Sequence, residues 1–405
     1  MSNKILVVED SRAFKNFLCQ TISQAGYEVI AAESYAEAKN LLSSAQDLFC
    51  AVLDYCLPDA QDGEIIDLVL EHGHRVIVLT ARFQEDTREK MLAKGVLDYI
   101  LKDSMASVSY LLPLLKRLTN NQQHKCLVVD DSHTVRRHIA QLLEHQYIQT
   151  LEADNGQKAL ELVEQNPDIT LILTDHDMPV KDGITMVREL RRKWDKNQLA
   201  ILGLSGSHSK TMTARFLKAG ANDFLYKPFN QEEFFCRIHQ LLDIKDATSE
   251  LFKMANQDAL TGLWNRRFLF EQPHVENAQR NIAMLDIDFF KQVNDTHGHE
   301  GGDAVLVMIA NILKIYFPND IVARLGGEEF CIQASGDYDG FLTRLEQMRQ
   351  RIEKTPITYL DKNILVTASI GVSNIEGELE QQIKVADERL YMAKENGRNQ
   401  IISSS

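Results

Sequence analysis

The stretch Arg324-Leu325-Gly326-Gly327-Glu328-Glu329-Phe330 stands between two short apolar runs, Ile321-Val322-Ala323 and Phe330-Cys331-Ile332. Apolar runs joined by Gly-Gly are typical of a β-hairpin, because glycine allows the backbone to turn tightly and to approach a ligand closely. Two carboxylates at the tip of a hairpin are poorly placed for a core and well placed for a metal ion. The stretch therefore predicts a hairpin that carries an acidic site.

A second acidic stretch, Asp286-Ile287-Asp288-Phe289-Phe290-Lys291, follows the apolar run Ile282-Ala283-Met284-Leu285. A carboxylate at the end of a strand, facing a carboxylate on a hairpin, can hold Mg²⁺ against phosphates. The two stretches together predict a site for nucleotidyl transfer.

These residues resemble the GGDEF family of diguanylate cyclases, here in the form GGEEF. The resemblance runs from Asp258 to Ile401 and is carried by several separated motifs that occur in the same order. They are Asp258-Ala259-Leu260-Thr261-Gly262-Leu263-Trp264-Asn265-Arg266-Arg267, the Asp286 stretch, Gly298-His299 through Gly302-Asp303, the GGEEF hairpin and Tyr391-Met392-Ala393-Lys394-Glu395-Asn396-Gly397-Arg398-Asn399. The resemblance implies an α/β, palm-like nucleotidyl-cyclase domain that joins two GTP molecules into cyclic di-GMP and releases two diphosphates.

The resemblance also implies roles for individual residues. Two Mg²⁺ ions would be held by Asp286, Glu328 and the Ile287 carbonyl, and Glu328 would also accept the proton of the attacking hydroxyl. The triphosphate would meet Lys291, Lys394 and Arg398, of which the last two would share a face if the segment is helical. The base and ribose would meet Asn294, Asp303 and His299. Arg324 is a candidate contact with a second subunit.

Two other functions stay open at this level. The first is a non-catalytic sensor of GTP or cyclic di-GMP that acts by protein contacts, although none of Asp286, Lys291, Glu328 and Asp303 is lost. The second is a cyclase with another nucleotide specificity, against which Asp303 speaks, because relatives that make mixed products tend to carry Ser there. Many family members have R-x-x-D before the hairpin as a product-inhibition site, and here the matching residues are Phe317-Pro318-Asn319-Asp320. We predict weak or absent product inhibition.

The first 245 or so residues contain an internal repeat. Each copy alternates short apolar runs with helical patterns, which predicts a doubly wound, flavodoxin-like parallel sheet. In such a sheet the carboxyl ends of the strands converge, so an acidic pair, a lone Asp, a hydroxyl and a Lys would meet in one crevice. The matched residues are Glu9, Asp10, Asp54, Thr80, Tyr99 and Lys102 in the first copy and Asp130, Asp131, Asp175, Ser205, Phe224 and Lys227 in the second.

Each copy resembles the receiver domain of two-component response regulators. The resemblance implies phosphorylation at Asp54 and Asp175 and one Mg²⁺ per phosphorylatable receiver, bound by these residues and the acidic pairs. Thr80 and Ser205 would be the switch hydroxyls, Tyr99 and Phe224 the switch aromatics, and Lys102 and Lys227 the phosphate contacts. Both sets are complete, so the sequence does not say whether one copy is a silent adaptor; the first copy has Asp103 where the second has Pro228.

The order of the parts resembles PleD-type response regulators. We expect a receiver at 1–120, a second receiver at 124–243, a helical signalling linker at 244–256 and the GGDEF domain at 257–405. The linker positions 241, 244, 248, 251 and 255 form a short heptad seam, which packs on its own domain or sets the placement of two output domains. The expected partners are GTP, a histidine kinase or phosphotransfer protein, and a second copy in the active form.

Composition excludes several other classes. The formal net charge of −14 argues against nonspecific binding to nucleic acid or to a membrane surface. No apolar run approaches the ~20 residues of a membrane-spanning helix, and Met1-Ser2-Asn3-Lys4 leads straight into a strand-like run rather than a leader. The six cysteines are scattered and fit reduced thiols. A cytoplasmic protein is expected.

Overall fold

A computed structural model describes residues 3–44, 47–81, 85–102, 107–206, 211–271, 280–360 and 362–403, with nothing described for the side chains of residues 85, 86, 107 and 108. The chain divides into two compact units, Met1–Thr248 and Ser249–Ser405. The first unit contains both copies of the repeat, and the second contains the GGEEF hairpin. Asp103 lies outside the described residues.

The first copy is built on a five-stranded parallel sheet in the order β2-β1-β3-β4-β5. Its strands are β1 Lys4–Val8, β2 Glu28–Ala32, β3 Cys50–Asp54, β4 Val76–Thr80 and β5 Asp98–Leu101. Its helices are α1 Arg12–Gln24, α2 Tyr35–Ser44, α3 Glu64–Glu71, α4 Glu85–Lys94 and α5 Leu111–Asn121, with a 3₁₀ turn at Ser107–Tyr110. Apolar clusters cover both faces of the sheet, as expected of parallel strands.

The second copy repeats this topology with the order β10-β9-β8-β6-β7. Its strands are β6 Lys125–Val129, β7 Gln149–Ala153, β8 Ile169–Asp175, β9 Ala200–Ser205 and β10 Asp223–Tyr226. Its helices are α6 His133–His145, α7 Gly156–Gln165, α8 Gly183–Leu190, α9 Met212–Ala219 and α10 Gln231–Asn256. The prediction of two doubly wound α/β domains is confirmed.

Helix α10 is continuous through the predicted linker, and the heptad seam divides along it. Leu241 is buried in the core of the second copy, whereas Ile244 and Leu251 are 53% and 65% exposed. The Thr248 hydroxyl donates to the Ile244 carbonyl within the helix. Packing on its own domain therefore explains only the first position of the seam.

The second unit has a six-stranded mixed sheet in the order β11-β13-β14-β12-β17-β18 and a separate hairpin of β15 and β16. Its strands are β11 Trp264–Asn265, β12 Arg280–Ile287, β13 Ile321–Gly326, β14 Glu329–Ser335, β15 Ile357–Tyr359, β16 Lys362–Ile364, β17 Ala368–Ser373 and β18 Ile401–Ile402. Its helices are α11 Arg266–Phe270, α12 Phe290–Tyr316, α13 Tyr338–Lys354 and α14 Leu379–Glu395. The predicted hairpin and the strand before Asp286 are both present, and they are neighbours in the sheet.

Candidate functional site

The acidic strand end and the hairpin meet as the sequence predicts. Asp286 is the penultimate residue of β12, where it pairs with Glu329 of β14 on one side and Ser369 of β17 on the other. The hairpin turns at Gly326 and Gly327, whose φ angles of 153° and 51° favour glycine. Glu328 follows directly, so its carboxylate and that of Asp286 belong to one edge of the sheet.

Charge is concentrated around Asp286. Asp286 is 7% exposed, and Lys394 Nζ lies 2.9 Å from its Oδ2. Burial raises the pKa of Asp286, the contact with Lys394 opposes this, and the charges of Glu328 and Glu329 raise the pKa further. One lysine therefore faces several carboxylates, and a hard divalent cation that takes oxygen ligands fits the donor set of Asp286, Glu328 and the Ile287 carbonyl.

A brace that sequence reasoning missed fixes the hairpin turn. The Arg324 guanidinium donates to both carboxylate oxygens of Asp258, at 3.1 and 3.2 Å, and to the Gly327 carbonyl, at 3.0 and 2.8 Å. Although burial opposes it, hydrogen bonds from Thr261 and then Arg324 lower the pKa of Asp258. A contact of Arg324 with a second subunit, the role expected from the sequence, would have to break these bonds. In the sequence, the signal that pointed to this contact was that Asp258 opens the first of the family motifs, Asp258 to Arg267.

The expected guanine-reading residues lie on the two halves of α12. The helix is interrupted at Gly298, whose φ and ψ are 75° and 172°. Asn294 precedes the interruption, and its Oδ1 lies only 1.9 Å from where a Cβ at Gly302 would stand. Asp303 follows Gly302 and is exposed. The glycine thus lets the Asn294 amide lie against the helix turn that carries Asp303.

The remaining base-side residue, His299, is exposed on the second half of α12. Lys291 is exposed in the first turn of the same helix. Phe289 precedes that turn in a left-handed conformation and gives it no side-chain cap. Uncapped N–H groups at a helix N-terminus, next to a lysine, favour phosphate.

The two phosphate candidates at the C-terminal end reach the site in different ways. Lys394 belongs to α14 and contacts Asp286. Helix α14 ends at Glu395, so the segment that holds Arg398 is not helical and the condition for a shared helix face with Lys394 is not met. Arg398 has a left-handed φ of 63°, and its guanidinium lies 4.5 Å from the centre of the Phe289 ring. A turn rather than a helix brings Arg398 to the loop that follows β12.

The position at which many family members carry the arginine of the product-inhibition site is occupied here by Phe317, which belongs to the core. Phe317 is 1% exposed and packs edge-on against Phe341. Asp320 is bound by Arg344, with Nη1 and Oδ2 2.7 Å apart. Neither side chain is free to bind a nucleotide, which supports the prediction of weak product inhibition.

The first copy gathers its expected site at the carboxyl ends of β1, β3 and β5. Ligand oxygens of Glu9, Asp10 and Asp54 all lie within 4.8 Å of one another, the one such group of three found among the described residues. Lys102 Nζ lies 2.5 Å from Glu9 and 2.7 Å from Asp54. Burial raises the pKa of Glu9, and Lys102 opposes this. The group fits a hard divalent cation beside a phosphoryl acceptor.

The second copy brings its acidic residues to the same place, and its lysine contacts two of them as Lys102 does in the first copy. Lys227 Nζ bridges Asp130 and Asp175, at 2.6 and 2.5 Å. Burial acts to lower the pKa of Lys227, but these two bonds outweigh it and raise that pKa. Burial also raises the pKa of Asp175, against the effect of Lys227. Asp131 is exposed at the rim.

The switch residues differ between the copies. Thr80 and Ser205 are each 1% exposed at the ends of their strands. The Tyr99 hydroxyl donates to Glu232 Oε1 of α10 at 2.9 Å, so the aromatic of the first copy contacts the second. Phe224 is buried against Phe216 within its own domain.

Comparison with known proteins agrees with this arrangement. The family model of the response regulator receiver domain matches residues 5–108 and 126–239. The chain belongs to the response regulator receiver family. The model of the diguanylate cyclase GGDEF domain matches residues 255–400.

Individual relatives and a solved structure match this chain over different shares of its length. The response regulator PleD of Caulobacter vibrioides is 26% identical over 462 residues, which cover all of both chains. Diguanylate cyclase A of Treponema denticola is 37% identical over 182 residues, 41% of this chain and 49% of that protein. A crystal structure of a two-component response regulator/GGDEF domain protein is 44% identical, with a TM-score of 0.55, over 60% of this chain and 99% of the other.

The receiver–receiver–GGDEF order predicted from the sequence is therefore confirmed, and the chain is a response regulator with diguanylate cyclase activity. Among the helices of the described residues, none has the length and apolar character to cross a membrane.

Proposed function

We propose that this response regulator makes cyclic di-GMP from two GTP molecules at the edge formed by β12 and the GGEEF hairpin, and that aspartyl phosphorylation of its receivers controls the reaction. The observation that carries the proposal is the cluster of Asp286, Glu328 and Glu329, with Lys394 as the cation beside it. Such a cluster favours a metal-bound triphosphate over any apolar ligand.

The residues divide the chemistry between them. Asp286, Glu328 and the Ile287 carbonyl would hold two Mg²⁺ ions, which supply a more acidic 3′-hydroxyl and charge stabilisation for the departing diphosphate. Glu328 takes the proton of the attacking hydroxyl. Lys394, which contacts Asp286 in this structure, would turn to the β- and γ-phosphates of bound GTP, which Arg398 and Lys291 also bind.

Base selection belongs to α12. The Asn294 amide and the Asp303 carboxylate pair with the edge of guanine, the carboxylate accepting from N1–H and N2–H. His299 lies on the same helix and contacts the base or ribose. One domain holds one GTP, so a homodimer with two facing half-sites completes the reaction.

Control by the receivers follows from their sites. A phosphotransfer protein or histidine kinase transfers a phosphoryl group to Asp54 or Asp175 with one Mg²⁺ per receiver, and Thr80 or Ser205 moves toward the new charge. In the first receiver the ligand oxygens of Glu9, Asp10 and Asp54 lie within 4.8 Å of one another, and the described residues of the second receiver contain no such group of three. We therefore expect Asp54 to dominate the response.

The test follows GTP turnover by chromatography with and without beryllofluoride, which mimics the acyl phosphate. Faster cyclic di-GMP synthesis with the mimic, abolished in Glu328→Ala, supports the proposal. Asp54→Asn and Asp175→Asn form a matched pair, and Asp54→Asn should remove most of the stimulation. GTP binding without any product, in either condition, would favour the non-catalytic sensor instead.

A further inference from the structure

Asp288 is a buried carboxylate to which the chemistry above gives no role. It directly follows β12 and is 4% exposed. Its oxygens accept hydrogen bonds from Thr367 Oγ1 and Ser369 Oγ, both at 2.6 Å, and from the backbone N–H of Asn399, at 3.1 Å. Among the described residues no lysine or arginine forms an ion pair with it. Burying a carboxylate without a cation beside it costs free energy, and the three hydrogen bonds offset this cost.

The third of these bonds leads to the segment that bears Arg398. Gly397, Arg398 and Asn399 have successive left-handed φ angles of 105°, 63° and 48°. A left-handed conformation at a residue other than glycine costs about 1–2 kcal/mol, so this turn persists only where other contacts hold it. Asp288 supplies one such contact, at the N–H of Asn399, the last residue of the turn.

Other contacts show that the turn is held from several sides. Arg398 N–H donates to the Ala393 carbonyl at 2.9 Å, and the Asn399 side chain accepts from Arg349 at 2.6 Å. The bond that Asp288 accepts from Asn399 instead connects the turn to the loop that follows β12. That loop includes Phe289, on whose ring the Arg398 guanidinium lies.

We propose that Asp288 is a positioning residue for the triphosphate: by holding the N–H of Asn399, it fixes the turn that aims Arg398 at the end of β12. The inference rests on the proposed function, since it assigns phosphate binding to Arg398. Asp288 itself touches neither metal nor nucleotide. Its effect should therefore appear in nucleotide affinity rather than in the turnover of bound substrate.

The experiment measures KM and kcat of the full chain with beryllofluoride, together with the Kd of a GTP analogue that has a methylene bridge between its α- and β-phosphates. Asp288→Ala should raise KM and Kd by about tenfold, the equivalent of one charge-assisted hydrogen bond, while kcat changes by less than about threefold. Asp288→Asn should recover most of the affinity. The carbonyl oxygen of the new amide can still accept from the Asn399 N–H, and the Thr367 or Ser369 hydroxyl can turn to accept from the amide's NH₂ group. Thr367→Val is the matched control, since it removes another donor to the same carboxylate and leaves the turn in place.

A double-mutant cycle decides whether Asp288 acts through Arg398. In an Arg398→Ala background, Asp288→Ala should cause little further loss of affinity, because the side chain that it positions is already absent. Full additivity would overturn the inference, as would an unchanged Kd in Asp288→Ala. Asp288→Ser is a second truncated variant, which keeps a hydroxyl group. If neither Asp288→Ala nor Asp288→Ser folds, Asp288 serves the stability of the domain and the inference is overturned. An inactive wild type that still binds the analogue would refute the proposed function without touching this result, because Kd is measured independently of turnover.

Discussion

Replacing Arg324 by alanine should disable the hairpin without unfolding the domain. The change removes the two bonds to Asp258 and the two bonds to the Gly327 carbonyl at the turn. Gly327 immediately precedes Glu328, which we assign to metal binding and proton transfer. Loss of the brace lets the turn move, and Glu328 loses the geometry that the reaction needs.

The size of the effect follows from the burial of the pair. The side chains of Arg324 and Asp258 are 13% and 25% exposed, so the pair lies between an exposed ion pair and a fully buried one. Exposed pairs contribute about 0–1 kcal/mol, whereas breaking buried ones costs ~3–5 kcal/mol. We expect a loss of about 2–3 kcal/mol of transition-state stabilisation, which is a fall in kcat of roughly 30- to 150-fold. Arg324→Lys should recover little, because an ammonium group cannot bind both partners in a planar fork.

The assay is cyclic di-GMP synthesis at saturating GTP and Mg²⁺, with thermal unfolding measured in parallel. Arg267→Ala is the matched control, because its ion pair with Glu271 is 64% and 57% exposed on the two sides and should leave kcat within about twofold. The double variant with Asp258→Ala should be no slower than the worse single variant, since both remove the same brace. A folded Arg324→Ala protein with kcat within about threefold of wild type would refute the reasoning.

Three further predictions concern charge and inhibition. Burial raises the pKa of Asp98 from 3.8 to about 6, so the stability that this group contributes when protonated is lost as the pH rises through about 6. Asp98→Asn should therefore stabilise the protein by at most ~3 kcal/mol at pH 7 and hardly at all near pH 4. The matched control, Asp223→Asn, breaks a 2.8 Å ion pair with Arg237 and should lower the melting temperature at pH 7. Lys394→Ala removes the cation that opposes the raised pKa of Asp286, so protons should compete with Mg²⁺ for this carboxylate at a higher pH. Calorimetry at decreasing pH should show the loss of Mg²⁺ affinity beginning at a higher pH in the variant than in the wild type. Product added up to the micromolar range should not slow the wild type, and Asp320→Ala should not change this; submicromolar inhibition abolished by that substitution would contradict us.

The sequence was sufficient to predict the parts of the fold in which short apolar runs alternate with helical segments. Buried parallel strands are continuous apolar runs, and several end at a site residue or just before one: Asp54 ends β3, Thr80 ends β4, and Lys102 follows β5. The GGEEF turn was equally predictable, because only glycine adopts the φ angles found at Gly326 and Gly327 without strain.

Long-range side-chain partners could not be read from spacing. Arg324 and Asp258 lie far apart in the chain, and the pairing of β11 with β13 brings their segments together. Arg398 looked helical because it stands four residues after Lys394, but Gly397 allows a left-handed exit that ends the helix earlier. Both cases depend on tertiary contacts that local patterns do not contain.

The close approach of Asn294 to Gly302 makes the glycine a marker for sorting related sequences. Even an alanine there would drive a methyl group into the Asn294 amide and expel it from its place beside the next turn. A relative that keeps both acidic motifs but carries any side chain at this position has therefore given up, or rebuilt, its recognition of the base. With the role that we propose for Asn294, selectivity for guanine depends in part on Gly302, a residue that has no side chain.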